Sequence, residues 1–168
     1  MRLIRKNSGL ILLALLSTLL YSCQQVTEYT ALSDFYYSSD AGKTYGNRTK
    51  EFNVGETVYM QLIARVDSNS KKAEEVSLTL TIPSITAVDA KYYDGQPITP
   101  VPDEINNITS YTFTIIASNS ASDWNFVFQF IPNSPGEITI KLEFDDNVPS
   151  LYDKQNTVKF ITPESSEE

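Results

Sequence analysis

Few residues in this 168-residue chain could carry chemistry. It has one cysteine, Cys23, and no histidine. The absence of histidine removes the commonest general base, the commonest metal ligand and any Ser-His-Asp arrangement. A zinc site would have to rest on carboxylates alone, against the preference of zinc for nitrogen and sulfur ligands. The densest set of oxygen ligands is Asp145, Asp146 and Asn147, followed past Pro149 by Asp153. It is the one candidate calcium site, because calcium takes six to eight oxygens. With no glycine-spaced loop and a proline inside it, the segment reads first as a solvated turn. Two adjacent tyrosine pairs, Tyr36-Tyr37 and Tyr92-Tyr93, are the candidate ligand-contact aromatics. On a strand, successive side chains point to opposite faces, so one ring of each pair would face outward. An outward ring can stack on a sugar or anchor a protein contact. The carboxylates Asp103 and Glu104 lie in a proline-flanked loop without a visible partner, and no glycine-rich phosphate loop occurs. No catalytic set and no cofactor are expected.

The position of Cys23 is informative. Arg2, Arg5 and Lys6 precede an apolar run over 10–20, and Tyr21-Ser22-Cys23 follows. This is the layout of a secretory leader, and the run is shorter than the roughly 20 apolar residues that span a bilayer. Leu20-Tyr21-Ser22-Cys23 resembles the lipobox of bacterial lipoproteins, with Tyr21 standing where a small residue is commoner. The resemblance implies cleavage before Cys23, a diacylglyceryl group on its thiol with palmitate-type acyl chains, and the lipid bilayer as a partner. Each buried acyl CH₂ contributes about 0.8 kcal/mol, and a second chain makes anchoring stable. Gln24, in place of aspartate, implies outer-membrane or cell-surface delivery by the sorting rule of some Gram-negative bacteria.

Four spans follow: a signal peptide over 1–22, a short lipidated tether over 23–31, a folded body over 32–162, and an acidic disordered tail over 163–168. The body is one ordinary domain with enough chain for a sizeable core. The net charge of −8 becomes −11 once the three leader cations are removed. Such a surface repels polyanions, so no nucleic-acid partner is expected. With Cys23 acylated no thiol remains for a disulfide.

The body has a hydrophobic period of two. Segments 57–66 (TVYMQLIARV), 76–82 (VSLTLTI), 111–117 (YTFTIIA), 124–130 (WNFVFQF) and 138–144 (ITIKLEF) alternate apolar and polar residues, and Val158 and Phe160 suggest a last strand. Trp124 is in phase with three phenylalanines and is assigned to the core. Clusters of Pro, Gly, Asn, Asp and Ser separate the runs as turns. Clean alternation means one buried and one wet face per strand. The expectation is an all-β, antiparallel two-sheet sandwich of about seven to nine strands.

Residues 54–58 (VGETV) ahead of one strand, and 130–136 (FIPNSPG) ahead of another, resemble the Ig-like modules of bacterial cell-surface adhesion-type proteins, over roughly 52–161. The resemblance implies an Ig-like sandwich and a binding or spacer role. Ser38-Ser39-Asp40-Ala41-Gly42-Lys43-Thr44-Tyr45 resembles the Asp-box of sialidases and other β-propellers, which implies a structural hairpin and not a catalytic one. The expected function is a non-catalytic, lipid-anchored envelope protein. It would bind an unknown protein or glycan, or serve as a small subunit of an envelope assembly. The alternative is a carbohydrate-binding accessory lipoprotein of a glycan-utilisation system.

Overall fold

The computed structural model describes residues 27–46 and 50–163. The leader, Cys23 and residues 164–168 of the tail lie outside the described residues. Ten strands follow one another: β1 (Tyr29–Ser38), β2 (Glu51–Asn53), β3 (Val58–Ser68), β4 (Glu74–Pro83), β5 (Ile85–Tyr92), β6 (Pro100–Asp103), β7 (Ile108–Ala117), β8 (Trp124–Pro132), β9 (Gly136–Phe144) and β10 (Lys154–Ile161). They form a four-stranded sheet in the order β1-β3-β8-β5 and a six-stranded sheet in the order β2-β10-β9-β4-β7-β6. The fold is an all-β, Ig-like sandwich.

Alternation drives this arrangement. Met60, Leu62, Ala64 and Val66 of β3 and Phe126, Phe128 and Phe130 of β8 point inward from one sheet. Val76, Leu78, Leu80 and Ile82 of β4 and Tyr111, Phe113 and Ile115 of β7 meet them from the other. Phe113 packs on Phe126 with ring centroids 4.3 Å apart, and Tyr111 meets Phe128 edge-on at 5.1 Å. Each such side chain, fully buried, contributes about 1.5–3 kcal/mol.

The structure departs from the sequence expectation in four places. β1 begins at Tyr29 and buries Ala31, so the last three residues of the expected 23–31 tether belong to the sheet. The strand count exceeds nine because two short edge strands, β2 and β6, carry little pattern of their own; β6 holds two prolines and is exposed throughout. Proline is tolerated on an edge, where no ladder donor is needed. One pairing, β2 with β10, is parallel, whereas the other strand pairs are antiparallel. Finally, Pro83-Ser84, one of the clusters read as turns, joins strands of different sheets. Ser84, at φ 57°, swings the chain from the six-stranded to the four-stranded sheet.

The sandwich has two distinct ends. At one, the chain arrives at β1: Asn69 N–H donates to the Glu28 carbonyl (3.1 Å) and Glu28 N–H to Asn69 Oδ1 (3.0 Å). The β7–β8 loop lies alongside, tied by Ser68 N–H to the Ser118 carbonyl (2.9 Å). At the other end, Val54 N–H donates to the carbonyl of Ile161, the last residue of β10 (2.8 Å), and Gly55 N–H to that of Pro132 (3.0 Å).

Candidate functional site

The end where β1 begins carries an open cleft of about 440 Å³ between the β5–β6 turn and the β7–β8 loop. That volume lies within the roughly 300–1,000 Å³ range of small-molecule sites. Tyr92, Tyr93 and Trp124 form its aromatic walls. Asp94, Asp123 and Asn125 supply acceptors around it, and Ser118, Ser120 and Ser122 line the loop side.

Local sequence places each wall. Tyr92 is the last residue of β5 and points inward. It packs on Phe126 at 5.2 Å and meets Trp124 nearly at right angles at 6.4 Å. Its hydroxyl accepts from Thr114 N–H (3.1 Å) and donates to the Thr114 carbonyl (3.4 Å). Thr114 lies beyond the stretch of β7 that β6 covers, so the phenol stands in for a missing strand partner there. Tyr93 takes the opposite face and is 80% exposed. Only its backbone is fixed, by Tyr93 N–H to the Asn125 carbonyl (2.9 Å). The turn closes through Gly95 N–H to the Tyr92 carbonyl (2.9 Å), and Gly95 takes φ 90°, a region glycine enters without strain. Asp94 Oδ1 accepts Gln96 N–H (3.1 Å), which orients its carboxylate at the cleft rim. Asp123 is met by Arg65 Nη1 at 3.8 Å.

Trp124 sits half-buried at the edge of the core and not within it, with part of its surface opening into the cleft. Its phase with Phe126, Phe128 and Phe130 concealed this. The visible signal was its position as first residue of the strand, directly after the polar run 118–123.

The tyrosine pairs divide as alternation requires, but only one of them reaches the cleft. Tyr37 is 2% exposed, which removes it as a ligand contact. Its ring packs on Phe52 at 4.8 Å and its hydroxyl accepts from Asn156 Nδ2 (2.6 Å). Burial pushes its pKa above the ordinary value. Tyr36 lies half-buried on the outer face of β1, where its hydroxyl donates to Asp34 (3.5 Å). A smaller groove of about 340 Å³ on that face, lined by Tyr45, Tyr59, Lys91 and Gln129, also has Tyr93 in its wall.

The acidic cluster is used by the backbone. Asp145 Oδ2 accepts Ser77 N–H (2.8 Å) and Oδ1 accepts Asn147 N–H (3.0 Å), while Asp153 Oδ1 accepts Phe144 N–H (3.0 Å). Asp146 and Asn147 face solvent. Among the described residues, no three His, Cys, Asp or Glu side chains are grouped to hold a metal ion. Asp145, Asp146, Asn147 and Asp153 thus belong to a turn in which the Asp145 and Asp153 carboxylates cap neighbouring N–H groups.

The 38–45 segment leaves β1 at the far end and folds back over the outer face of the four-stranded sheet. Asp40 accepts from Ser38 Oγ (2.6 Å), Thr44 Oγ1 (2.7 Å) and Thr44 N–H (2.8 Å), and Ser38 Oγ accepts Gly42 N–H (2.8 Å). These bonds, that from Ser38 foremost, lower the Asp40 pKa to about 2. A Cβ on Gly42 would stand 3.0 Å from the Tyr59 ring, so the loop packs on the sheet's outer face. The loop joins β1 to β2, which belong to different sheets, so its arms do not continue into a hairpin.

No family model matches the sequence, and no curated protein does. Several solved structures share the fold. The C-terminal domain of the AgI/II polypeptide BspA of Streptococcus agalactiae superposes with a TM-score of 0.50 at 15% identity, over 79% of this chain and 50% of that one. The major pilin subunit BcpA of Bacillus cereus gives 0.45 at 11% identity, over 80% and 40%. A cohesin module from a Clostridium perfringens family 33 glycoside hydrolase gives 0.44 at 11% identity, over 82% and 98%. The chain thus spans half of the BspA structure and 40% of the pilin subunit.

Proposed function

We propose that this chain is a non-catalytic binding module of the bacterial cell envelope, held there by lipid on Cys23. Its cleft, bounded by Tyr92, Tyr93 and Trp124, takes the ligand. The observation that carries the reading is the cleft itself, in which an 80% exposed aromatic ring stands beside half-buried ones, with acceptors at the rim. A ring left that exposed contributes little to folding and is free to contact a partner. The sequence around Cys23 supports the envelope address, and the sandwich is a fold shared with the C-terminal domain of the Streptococcus agalactiae AgI/II polypeptide BspA. The chemistry at hand supports a binder over an enzyme, because no nucleophile, general base and orienting group come together in the cleft.

Two measurements test this. Metabolic labelling with an alkyne analogue of palmitate should tag the protein and should fail on Cys23→Ala. Purified lipidated protein should turn over nothing in a broad panel of glycosides, esters and peptides; metal-independent turnover of any of them would overturn the non-catalytic reading. A second reading, a carbohydrate-binding accessory lipoprotein of a glycan-utilisation system, is favoured by one feature, the pairing of aromatic walls with hydroxyl and carboxylate groups.

A further inference from the structure

We propose that the cleft binds the uncharged sugar headgroup of a lipid in the same membrane that anchors the protein. This rests on the reading of Cys23 as an acylated anchor and goes beyond it by naming a ligand and where it is presented. Three observations lead there.

The first is lining chemistry. A pyranose has an apolar C–H face and a rim of hydroxyls. Tyr93 and Trp124 offer flat apolar surfaces for the face. Asp94, Asp123 and Asn125 offer acceptors for the rim, and the serines of the β7–β8 loop both donate and accept. A protein partner would fit less well, since stable protein interfaces bury about 800 Å² per side around an apolar centre. Here the concavity is small and polar-rimmed.

The second is charge. The cleft carries two carboxylates, one of them faced by Arg65, on a chain of net charge −8. Phosphorylated, sulfated or otherwise anionic headgroups meet repulsion there, and a neutral sugar does not.

The third is position. Glu28, one residue before β1, is bonded to Asn69, and the adjoining Ser68 is bonded to Ser118 in the cleft wall. The chain therefore reaches the sandwich beside the cleft. From Cys23 to Glu28 the backbone extends at most about 18 Å. An acylated Cys23 then holds this end, and not the opposite one, against the headgroup layer. A module collecting free sugars from solution gains nothing from turning its cleft toward its own membrane.

Trp124 is the only tryptophan of the chain and forms a wall of the cleft, so its fluorescence reports occupancy directly. The lipidated protein is reconstituted by its own anchor into phosphatidylcholine vesicles, alone or with a panel of neutral mono- and diglycosyl diacylglycerols bearing glucose, galactose or mannose. Parallel arms titrate the matching free disaccharides and an unrelated peptide pool. The expected result is a saturable change in Trp124 emission with at least one glycolipid, at lower bulk concentration than the matching free sugar. Tyr93→Ala should weaken this at least tenfold; because that ring is exposed, the fold should survive. Trp124→Phe, read by calorimetry, should keep the fold and reduce affinity less. No response to any glycolipid in protein that floats with the vesicles overturns the proposal, as does a response to peptides alone, to free sugars alone, or one unaltered by Tyr93→Ala. Protein that fails to float overturns the anchoring reading instead, so the two failures are distinct.

Discussion

Tyr37 and Tyr111 are both buried tyrosines, yet they should respond oppositely to loss of the hydroxyl. The Tyr37 oxygen accepts a 2.6 Å bond from Asn156 Nδ2, whereas the Tyr111 oxygen has no hydrogen-bond partner among the described residues. Burial pushes the Tyr111 phenol up to about 12, the mark of a hydroxyl held away from solvent. Tyr37→Phe strands an amide donor and should cost about 1–2 kcal/mol. Tyr111→Phe keeps the edge contact with Phe128 and removes an unpaired polar atom, so it should be neutral or stabilise by up to about 1 kcal/mol. Urea midpoints at constant slope decide this; equal losses in the two variants would refute it. Asp40 gives a pH test. Its folded pKa of about 2 lies below the unfolded 3.8, so its bonds support the 38–45 loop above the unfolded value. That support fades as pH falls through 3.8 and is gone below about 2. Thr44 amide protection, followed by NMR, should fall over that window and lose its pH dependence in Asp40→Asn. Parity with Ala31 and Phe35 is the feature that could have put Tyr37 on the inner face. Only its place at the start of β8, directly after the polar run 118–123, marked Trp124 as a cleft wall, because its parity is that of the core and its exposure depends on the loop that precedes it.

Strands with unbroken alternation were legible in the sequence to within a few residues: β3, β4, β7, β8 and β9 all lie where period two placed them. β5 was not, for a physical reason. Its pairing with β8 shifts between Ala87 and Asp89, so Val88 is an extra residue and the inward set runs Ile85, Ala87, Ala90, Tyr92. A bulge reverses parity midway and erases the pattern. It also sets which ring faces the core, because pairing the same residues without a bulge would exchange the faces of Tyr92 and Tyr93. Deleting Val88 should therefore leave Ala87, Ala90 and Tyr92 in unbroken alternation, with Tyr93 still outward; iodination of Tyr93 as ready as in the parent protein would bear this out, and its protection would refute it. The crossover into β5 is equally specific. Ser84, at φ 57°, donates to the Asn107 carbonyl (2.7 Å) and accepts from Asn133 N–H (2.9 Å). The amides of Asn107 and Asn133 exchange two bonds of 3.1 and 3.0 Å beside it. A β-branched residue is strained in that backbone region, so Ser84→Val should cost about 1–3 kcal/mol in thermal or urea unfolding, and Ser84→Gly much less.

On the scale of the whole molecule, the entry of the chain into β1 and the cleft share one pole. β4 runs ten residues, about 33 Å at strand rise, which is close to the separation of the two ends. Glu28, the Ser118 loop and the cleft lie at one end, and Gly55, Pro132, Asn107 and the close of β10 at the other. If Cys23 carries the acyl chains, the sandwich stands on its cleft end with the far loops outermost. Headgroup-spin-labelled lipid should then quench Trp124 in vesicle-bound protein. A fluorophore on Glu104→Cys, in the exposed β6–β7 loop at the far end, should stay bright; acylated Cys23 leaves no competing thiol. Placing about 20 Gly/Ser residues ahead of Thr27 adds a root-mean-square reach of about 25 Å and should relieve the Trp124 quenching. The same insertion dilutes the cleft relative to headgroups in its own leaflet, so any glycolipid response should weaken while affinity for the matching free sugar stays the same. Quenching that is equal at both ends, or unchanged by the insertion, would mean that the sandwich lies on its side and that the cleft does not face the membrane.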